Sequence, residues 1–261
     1  MKRLSQLARH SVTVMALVLF YSLVPSAGGQ TPAAKPPDLN GSWGPYGAAG
    51  RGGDPKLAPV AASPIVVKPE YVKAYEAVRA ADAEANRRGE PLASASSACL
   101  PSGMPAMMSV AVYPVEFIQT PNQVTIVSEA FMQVRRIFLD RPQAPIDEVP
   151  PGYFGRSVGH WEGDTLVVDT IGVKTSVQYQ RVPHSDQMRI TERIRLAAPD
   201  VLHDQITIQD PVTLEKPITY TLAYRRLPKY EMVEFVCDNN REFADEKGAV
   251  QLKLGGRGAQ Q

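Results

Sequence analysis

The second half of the chain is a succession of short strand-like runs separated by turn residues. Runs rich in Val, Ile, Thr, Tyr and Phe cover residues 112–119, 123–129, 131–140, 157–161, 164–170, 187–196, 203–209, 218–226 and 231–237. Turn signals such as Pro121-Asn122 and Glu162-Gly163 separate them, and no helical period intervenes. This succession of strand-like runs and turns predicts an all-β fold, namely an antiparallel β-barrel or a sandwich.

The first half of the chain contains one helical segment, predicted over residues 69–88. Tyr71, Tyr75 and Val78 recur at spacings of three and four, Pro69 suits a first helical turn, and Gly89 suits a C-terminal stop. The sequence DLNGSW at 38–43 indicates the entry to a first strand. We therefore predict a single β-rich domain over residues 38–261, with one helix near 69–88.

Composition excludes several classes of protein. Hydrophobic residues make up 44% and charged residues 21% of the chain, as in ordinary globular proteins, which excludes a fully disordered chain and a multi-span membrane protein. The 28 basic and 27 acidic residues are nearly balanced and form no basic stripe, so no nucleic-acid partner is predicted.

The N-terminus has the order of a secretory signal peptide. The basic residues Lys2, Arg3 and Arg9 precede an apolar run at 11–24, which is followed by Pro25 and a stretch of small residues. The run is shorter than the roughly 20 residues of a transmembrane helix, although an uncleaved N-terminal anchor is the alternative. We predict a signal peptide over 1–29, a flexible spacer over 30–37, no membrane span after cleavage, and a periplasmic or secreted protein.

The chain has two cysteines, Cys99 and Cys237. In an oxidising compartment an even pair predicts a disulfide, and two free buried thiols are the alternative. This bond would close a loop of well over 100 residues, for which the loop-entropy model gives roughly 4–5 kcal/mol.

Several motifs resemble those of a family of exported bacterial proteins that is largely uncharacterised. They are GHWEGDTLVVDT at 159–170, PHSDQMRITERIR at 183–195, ITIQDP at 206–211, RRIFLD at 135–140 and EFVCDNN at 234–240. The resemblance covers roughly residues 38–240 and implies secretion and a β-rich fold, but no known reaction. Separately, Gly41-Ser42-Trp43 is similar to the G-x-W element that opens lipocalin barrels.

One strand carries a charged residue on its apolar face. With a two-residue period, Glu192 shares a face with Met188, Ile190, Ile194 and Leu196. A buried carboxylate is costly unless it is paired or protonated. Glu192 could therefore be paired with an inward Arg135 or Arg136, or it could be a carboxylate in a ligand cavity; a bulge that shifts the register is the third reading.

Arg135 and Arg136 are consecutive on a strand and must point to opposite faces, so one of them points inward. An inward guanidinium needs an anion, which Glu192 or Glu234 could supply, or it could bind a carboxylate of a ligand. Trp161 is a further candidate ligand-binding residue, with core or rim packing as the alternative.

The turn Pro183-His184-Ser185-Asp186 precedes the Glu192 strand. His184 oriented by Asp186 could act as a general base, with Glu192 as its acid–base partner. The alternative is a capped turn in which Ser185 and Asp186 bond to backbone amides. The mature chain has three histidines without zinc-motif spacing, so we predict neither a metal nor a cofactor.

These features support three hypotheses. The first is an exported β-barrel-like protein that binds a small, partly apolar ligand, with Glu192, Arg135 or Arg136, and His184 at the polar end of the cavity. The second is a cofactor-free lyase, isomerase or hydrolase on the same scaffold, using Glu192 and His184. The third is a structural envelope or interaction protein with a filled interior.

The signal-peptide interpretation predicts that residues 1–29 are absent from the exported form. N-terminal sequencing of the periplasmic fraction should then start near Gln30. Recovery of Met1 in a membrane pellet would overturn this prediction.

Overall fold

Nine strands pair in sequence order into a closed barrel, and a short two-stranded sheet follows near the C-terminus. The computed structural model describes residues 35–47, 53–109, 113–177, 179–235, 237, 242–244, 246–247 and 250–252. The barrel strands are β1 (Gly41–Pro45), β2 (Val115–Thr120), β3 (Gln123–Ser128), β4 (Gln133–Leu139), β5 (Arg156–Glu162), β6 (Thr165–Ile171), β7 (Arg189–Ala198), β8 (Val201–Gln209) and β9 (Ile218–Arg226). The small sheet consists of β10 (Glu242–Ala244) and β11 (Val250–Leu252).

The predicted all-β class is confirmed, and the barrel alternative holds rather than the sandwich. The runs predicted from 112–119 to 218–226 correspond to β2–β9, and the entry predicted at 38–43 becomes β1. β1 closes the barrel because Trp43 pairs with Val115 of β2 on one side and with Arg226 of β9 on the other.

The strand predicted at 231–237 is wrong over its described residues, since 231–235 contain no strand. Both hydrogen-bonding edges of β9 are already occupied, by β8 and by β1, with Val60 continuing the β1 side. A further strand would therefore have no free edge to join at this position. Val233 and Glu234 are correspondingly exposed.

The barrel is antiparallel except where β4 pairs in parallel with β5. A closed ring in which every neighbour ran antiparallel would need an even number of strands, so nine strands require at least one parallel pair. The connection over residues 140–155, which includes Pro142, Pro145, Pro150 and Pro151, returns the chain to the end from which β4 started. Periodicity within each strand carries no information about this reversal.

The predicted helix is confirmed as α1, Pro69–Arg87, with Pro69 in its first turn and Gly89 at positive φ after its end. The helix and the connections at one end of the barrel form a cap. Tyr75 of α1 packs into the same hydrophobic core as Met104, Met107 and Met108, which precede β2. The opposite end is closed by tight hairpins, and Gly163 has a positive φ in the β5–β6 hairpin, at the turn signal Glu162-Gly163.

The inward positions of the barrel are mostly large and apolar. They include Trp43, Phe117, Ile126, Ile137, Leu166, Ile190 and Ile194, all fully buried. Small barrels are filled by side chains in this way, and their interior is a core rather than a channel.

The predicted disulfide between Cys99 and Cys237 is confirmed, with a Cα–Cα distance of 5.8 Å. It links the loop that follows α1 to the chain beyond β9. Within the described residues, no helix has both the length and the apolar character needed to cross a membrane. The predicted signal peptide and residues 30–34 of the spacer lie outside the described residues.

Candidate functional site

An ion pair lies inside the barrel. Strand alternation points Arg135 of β4 and Glu192 of β7 inward, where their side chains are 1% and 0% exposed. Arg135 donates from Nη1 to Glu192 Oε1 at 2.8 Å and from Nη2 to Oε2. Glu192 therefore points inward, as predicted, and of the alternatives for this residue the structure shows pairing with an arginine. Arg135 is the inward member of the Arg135-Arg136 pair.

Two hydroxyl groups complete the surroundings of the guanidinium. Arg135 Nε donates to Ser157 Oγ at 3.1 Å, and Nη2 donates to Thr170 Oγ1 at 2.9 Å. The two hydroxyl oxygens are 2.9 Å apart and hydrogen-bonded to each other. The network therefore joins β4, β5, β6 and β7, and it gives the buried charge the extra hydrogen bonds that make such a pair tolerable.

A second carboxyl group lies inside the barrel next to this pair. Asp204 of β8 is fully buried, and neither of its oxygens has a hydrogen-bond partner among the described residues. Burial raises the pKa of Asp204 well above its usual range, and the negative charge of Glu192 raises it further, whereas Arg135 opposes the shift. Asp204 is therefore expected to be protonated and uncharged in the folded protein.

Two buried tyrosines lie near these carboxyl groups. Burial raises the pKa of both Tyr220 and Tyr224, so both phenols are neutral. The Tyr224 hydroxyl donates to the carbonyl of Met108 in the cap. Tyr220 stacks on Tyr179, with ring centroids 5.3 Å apart. These contacts connect the interior polar groups to the capped end of the barrel.

The turn before β7 is organised by a residue that the sequence analysis did not select. Asp210 is buried and accepts hydrogen bonds from the amides of Ser185, Val212 and Thr213. Ser185 Oγ accepts from the Gln187 amide, as the capped-turn alternative predicted. The turn therefore has a structural network that does not involve a His184–Asp186 pair.

Among the described residues, no hydrogen bond joins His184 or Asp186 to Glu192. His184 Nε2 donates to the Val177 carbonyl at 2.7 Å, and Nδ1 lies 3.1 Å from the Ser185 carbonyl. Asp186 is exposed and accepts from Gln187. His184 thus fixes the backbone at Val177, and its catalytic role remains a prediction.

The other candidate ligand-binding residues lie apart from the interior. Arg136 and Glu234 are exposed, so neither accompanies Arg135 into the barrel. Trp161 is half-buried and packs against the core at the hairpin end. The described residues contain no group of three or more His, Cys, Asp or Glu side chains that could hold a metal ion.

A large groove lies in the cap, and we call it the cap groove. Its volume is about 990 Å³. Its lining comes from α1, from the segments before and after α1, from the β6–β7 connection and from Tyr153. The residues of α1 are Tyr75, Arg79, Asp82, Ala83 and Asn86, and those of the β6–β7 connection are Ser176, Val177, Gln180 and Arg181. The segment before α1 contributes Ala62, Ser63 and Ile65, and the segment after it contributes residues 93–95, 100–102 and Ala106. This size falls in the range of small-molecule sites.

An ion pair holds the walls of the cap groove together. Arg181 donates to Asp82 of α1 at 3.0 Å and to the Ala93 carbonyl at 3.4 Å. Gln180 and Arg181 both have positive φ, which is uncommon for residues other than glycine and persists where surrounding contacts impose it. Cys99 lies beside the segment that lines the groove, so the disulfide restrains that wall as well.

Two parts of this arrangement were missed at the sequence level. Asp204 shares its face of β8 with Leu202, Ile206 and Ile208, so the argument that singled out Glu192 would also have found it. The cap groove had no such signal, because its lining comes from segments far apart in the chain that read as a helix and irregular loops.

Comparison with models of known protein families and with curated proteins returned no match for this chain.

Replacing Arg135 with Gln should destabilise the barrel, because the Glu192 carboxylate then remains buried without its cation. We expect a loss of about 3–5 kcal/mol in the free energy of unfolding at pH 7. Denaturant melts measure this loss. The matched control is Arg136→Gln on the exposed face, and equal effects of the two substitutions would contradict the prediction.

The raised pKa of Asp204 predicts that Asp204→Asn increases the free energy of unfolding by an amount that depends on pH. The stability that Asp204 contributes is fully present below its unfolded pKa, near 3.8, and is lost as pH rises through the higher folded pKa. Asn does not ionise, so the variant should gain stability relative to the native protein as pH rises above about 4, by up to about 1.4 kcal/mol per pH unit. Denaturant melts at several pH values measure this, with exposed Asp200→Asn as control. Parallel stability curves for native protein and Asp204→Asn would show that Asp204 ionises normally.

Proposed function

We propose that this protein is a barrel-type binding protein and that the cap groove takes a small, partly apolar molecule. The observation that carries the proposal is the cap groove itself, about 990 Å³ in volume and lined by apolar, polar and charged side chains together. Binding sites for small molecules combine mostly apolar walls with a few placed polar groups. The closed barrel beneath the groove supplies a rigid base.

We assign binding to the cap groove rather than to the barrel interior. Inside the barrel, Arg135 and Glu192 already neutralise each other, and the surrounding inward positions are filled by large apolar side chains. A ligand there would have to displace this network. His184 enters the proposal through its bond to the Val177 carbonyl, because Val177 lines the groove.

The proposal does not extend to acid–base catalysis by Glu192 and His184. Glu192 is bonded to a guanidinium, and both ring nitrogens of His184 lie within hydrogen-bonding distance of carbonyls. No contact of the described residues favours proton transfer between them.

We further propose a periplasmic or secreted location. The Cys99–Cys237 disulfide supports an oxidising compartment. The signal-peptide features at residues 1–29 and the resemblance to exported bacterial proteins point the same way.

A substitution that fills the cap groove tests the binding function. Ala83 lines the groove on α1, whereas Ala77 is equally exposed on the opposite side of the helix. The uncharged dye N-phenyl-1-naphthylamine, which fluoresces in apolar surroundings, should bind the native protein and Ala77→Trp. Binding to Ala83→Trp should fall at least about tenfold, since 1.4 kcal/mol of lost contact already gives that factor. Equal binding to all three proteins would exclude the cap groove as the site.

A further inference from the structure

The cap groove carries one uncompensated positive charge. Of the described residues that line it, three are charged, namely Arg79, Asp82 and Arg181. Asp82 is already paired with Arg181 at 3.0 Å, and both side chains are partly buried. The charge that remains belongs to Arg79.

Arg79 is positioned for an incoming ligand. Its guanidinium carbon lies over the ring of Tyr75, 5.6 Å from the ring centroid, one helical turn earlier on α1. Tyr75 is buried in the hydrophobic core, so the ring gives a fixed support. An arginine that stacks on an aromatic ring keeps N–H donors available at its edge. Within the described part of the chain, no carboxylate forms an ion pair with Arg79.

Two charged residues near the cap groove do not line it. Lys174 lies over the ring of Tyr153, with Nζ 4.6 Å from the centroid, and only Tyr153 of this pair lines the groove. Glu84 of α1 does not line the groove, and it is paired with Arg87 and Arg88. The rest of the lining is uncharged and includes the apolar side chains of Ala62, Ile65, Leu100, Pro101 and Val177.

Resting on the proposed function, we infer that the cap groove selects a monoanionic amphiphile, a small molecule with one carboxylate or sulfonate on an apolar body. The edge of Arg79 binds two oxygens of the anionic group, which is the geometry that a guanidinium favours. The apolar body lies against the uncharged lining. Arg181 and Asp82 hold the wall in place and stay paired with each other.

A matched pair of dyes tests this charge preference. N-phenyl-1-naphthylamine and 1-anilinonaphthalene-8-sulfonate share an aromatic frame and differ by the sulfonate. The native protein should bind the anionic dye more tightly, and the difference should shrink as salt is raised, because salt screens exposed charges. Fluorescence titration at low and high ionic strength measures both affinities.

Three substitutions test whether Arg79 is the source of the preference for the anionic dye. Arg79→Gln should weaken binding of the anionic dye about tenfold, because the charged hydrogen bonds of the guanidinium are lost. It should leave binding of the neutral dye unchanged. Arg79→Lys should restore only part of the preference, because the ammonium group keeps the charge but cannot bind two oxygens as a guanidinium does. Arg87→Gln, on the same helix but outside the groove, is the control and should change neither affinity.

The outcomes separate the two proposals. If Ala83→Trp blocks both dyes but Arg79→Gln affects them equally or not at all, the anion preference is wrong and the binding function stands. If Ala83→Trp changes the binding of neither dye, the proposed function fails, and the inference fails with it. Loss of the anionic dye alone in Arg79→Gln supports the inference.

Discussion

The ion pair between Arg135 and Glu192 is the constraint around which the barrel interior is organised. A guanidinium enclosed by nine strands must be neutralised inside the barrel, because moving a charge out of water costs several kcal/mol even after relaxation. Glu192 supplies the charge, and Ser157 and Thr170 supply the remaining acceptors. Since Arg135 and Glu192 lie on different strands, a register slip of one residue in β4 or in β7 would turn one of them outward and leave the other buried without its partner.

Asp204 shows the cost of placing a second carboxyl group beside that pair. One guanidinium can balance one carboxylate, so the second carboxyl has to take up a proton to remain buried. Because two carboxyl groups lie beside one guanidinium, the stability of the barrel depends on pH, while the net charge of its interior stays near zero. Tyr220 and Tyr224 lie near these carboxyl groups and connect them to the capped end of the barrel. The Tyr220 ring stacks on Tyr179, and the Tyr224 hydroxyl donates to the Met108 carbonyl.

The cap depends on the barrel but uses different chemistry. The ion pair of its groove, between Arg181 and Asp82, is partly exposed to solvent, and solvent weakens the contribution of an ion pair to stability. The Arg181–Asp82 pair matters because it joins the β6–β7 connection to α1 and so defines one wall of the cap groove. The disulfide and the His184–Val177 bond restrain neighbouring segments. The protein therefore has a buried charge network that specifies the barrel, and a separate, solvent-accessible groove suited to a ligand.

The sequence by itself determined the elements whose signal is local. Alternation with period two identified β2–β9 and placed Glu192 inward, spacing with period 3.6 identified α1, and the cysteine count indicated the disulfide. The tertiary structure decided what depends on pairing between distant segments: which arginine faces Glu192, the parallel β4–β5 pair, the absence of a strand at residues 231–235, and the cap groove. The alternation of side chains along a strand indicates that Arg135 and Arg136 point to opposite faces. Only closure of the barrel decides which of those faces is the interior. The groove is built from side chains of separate loops and one helix, and their proximity is a property of the folded chain that no local pattern encodes.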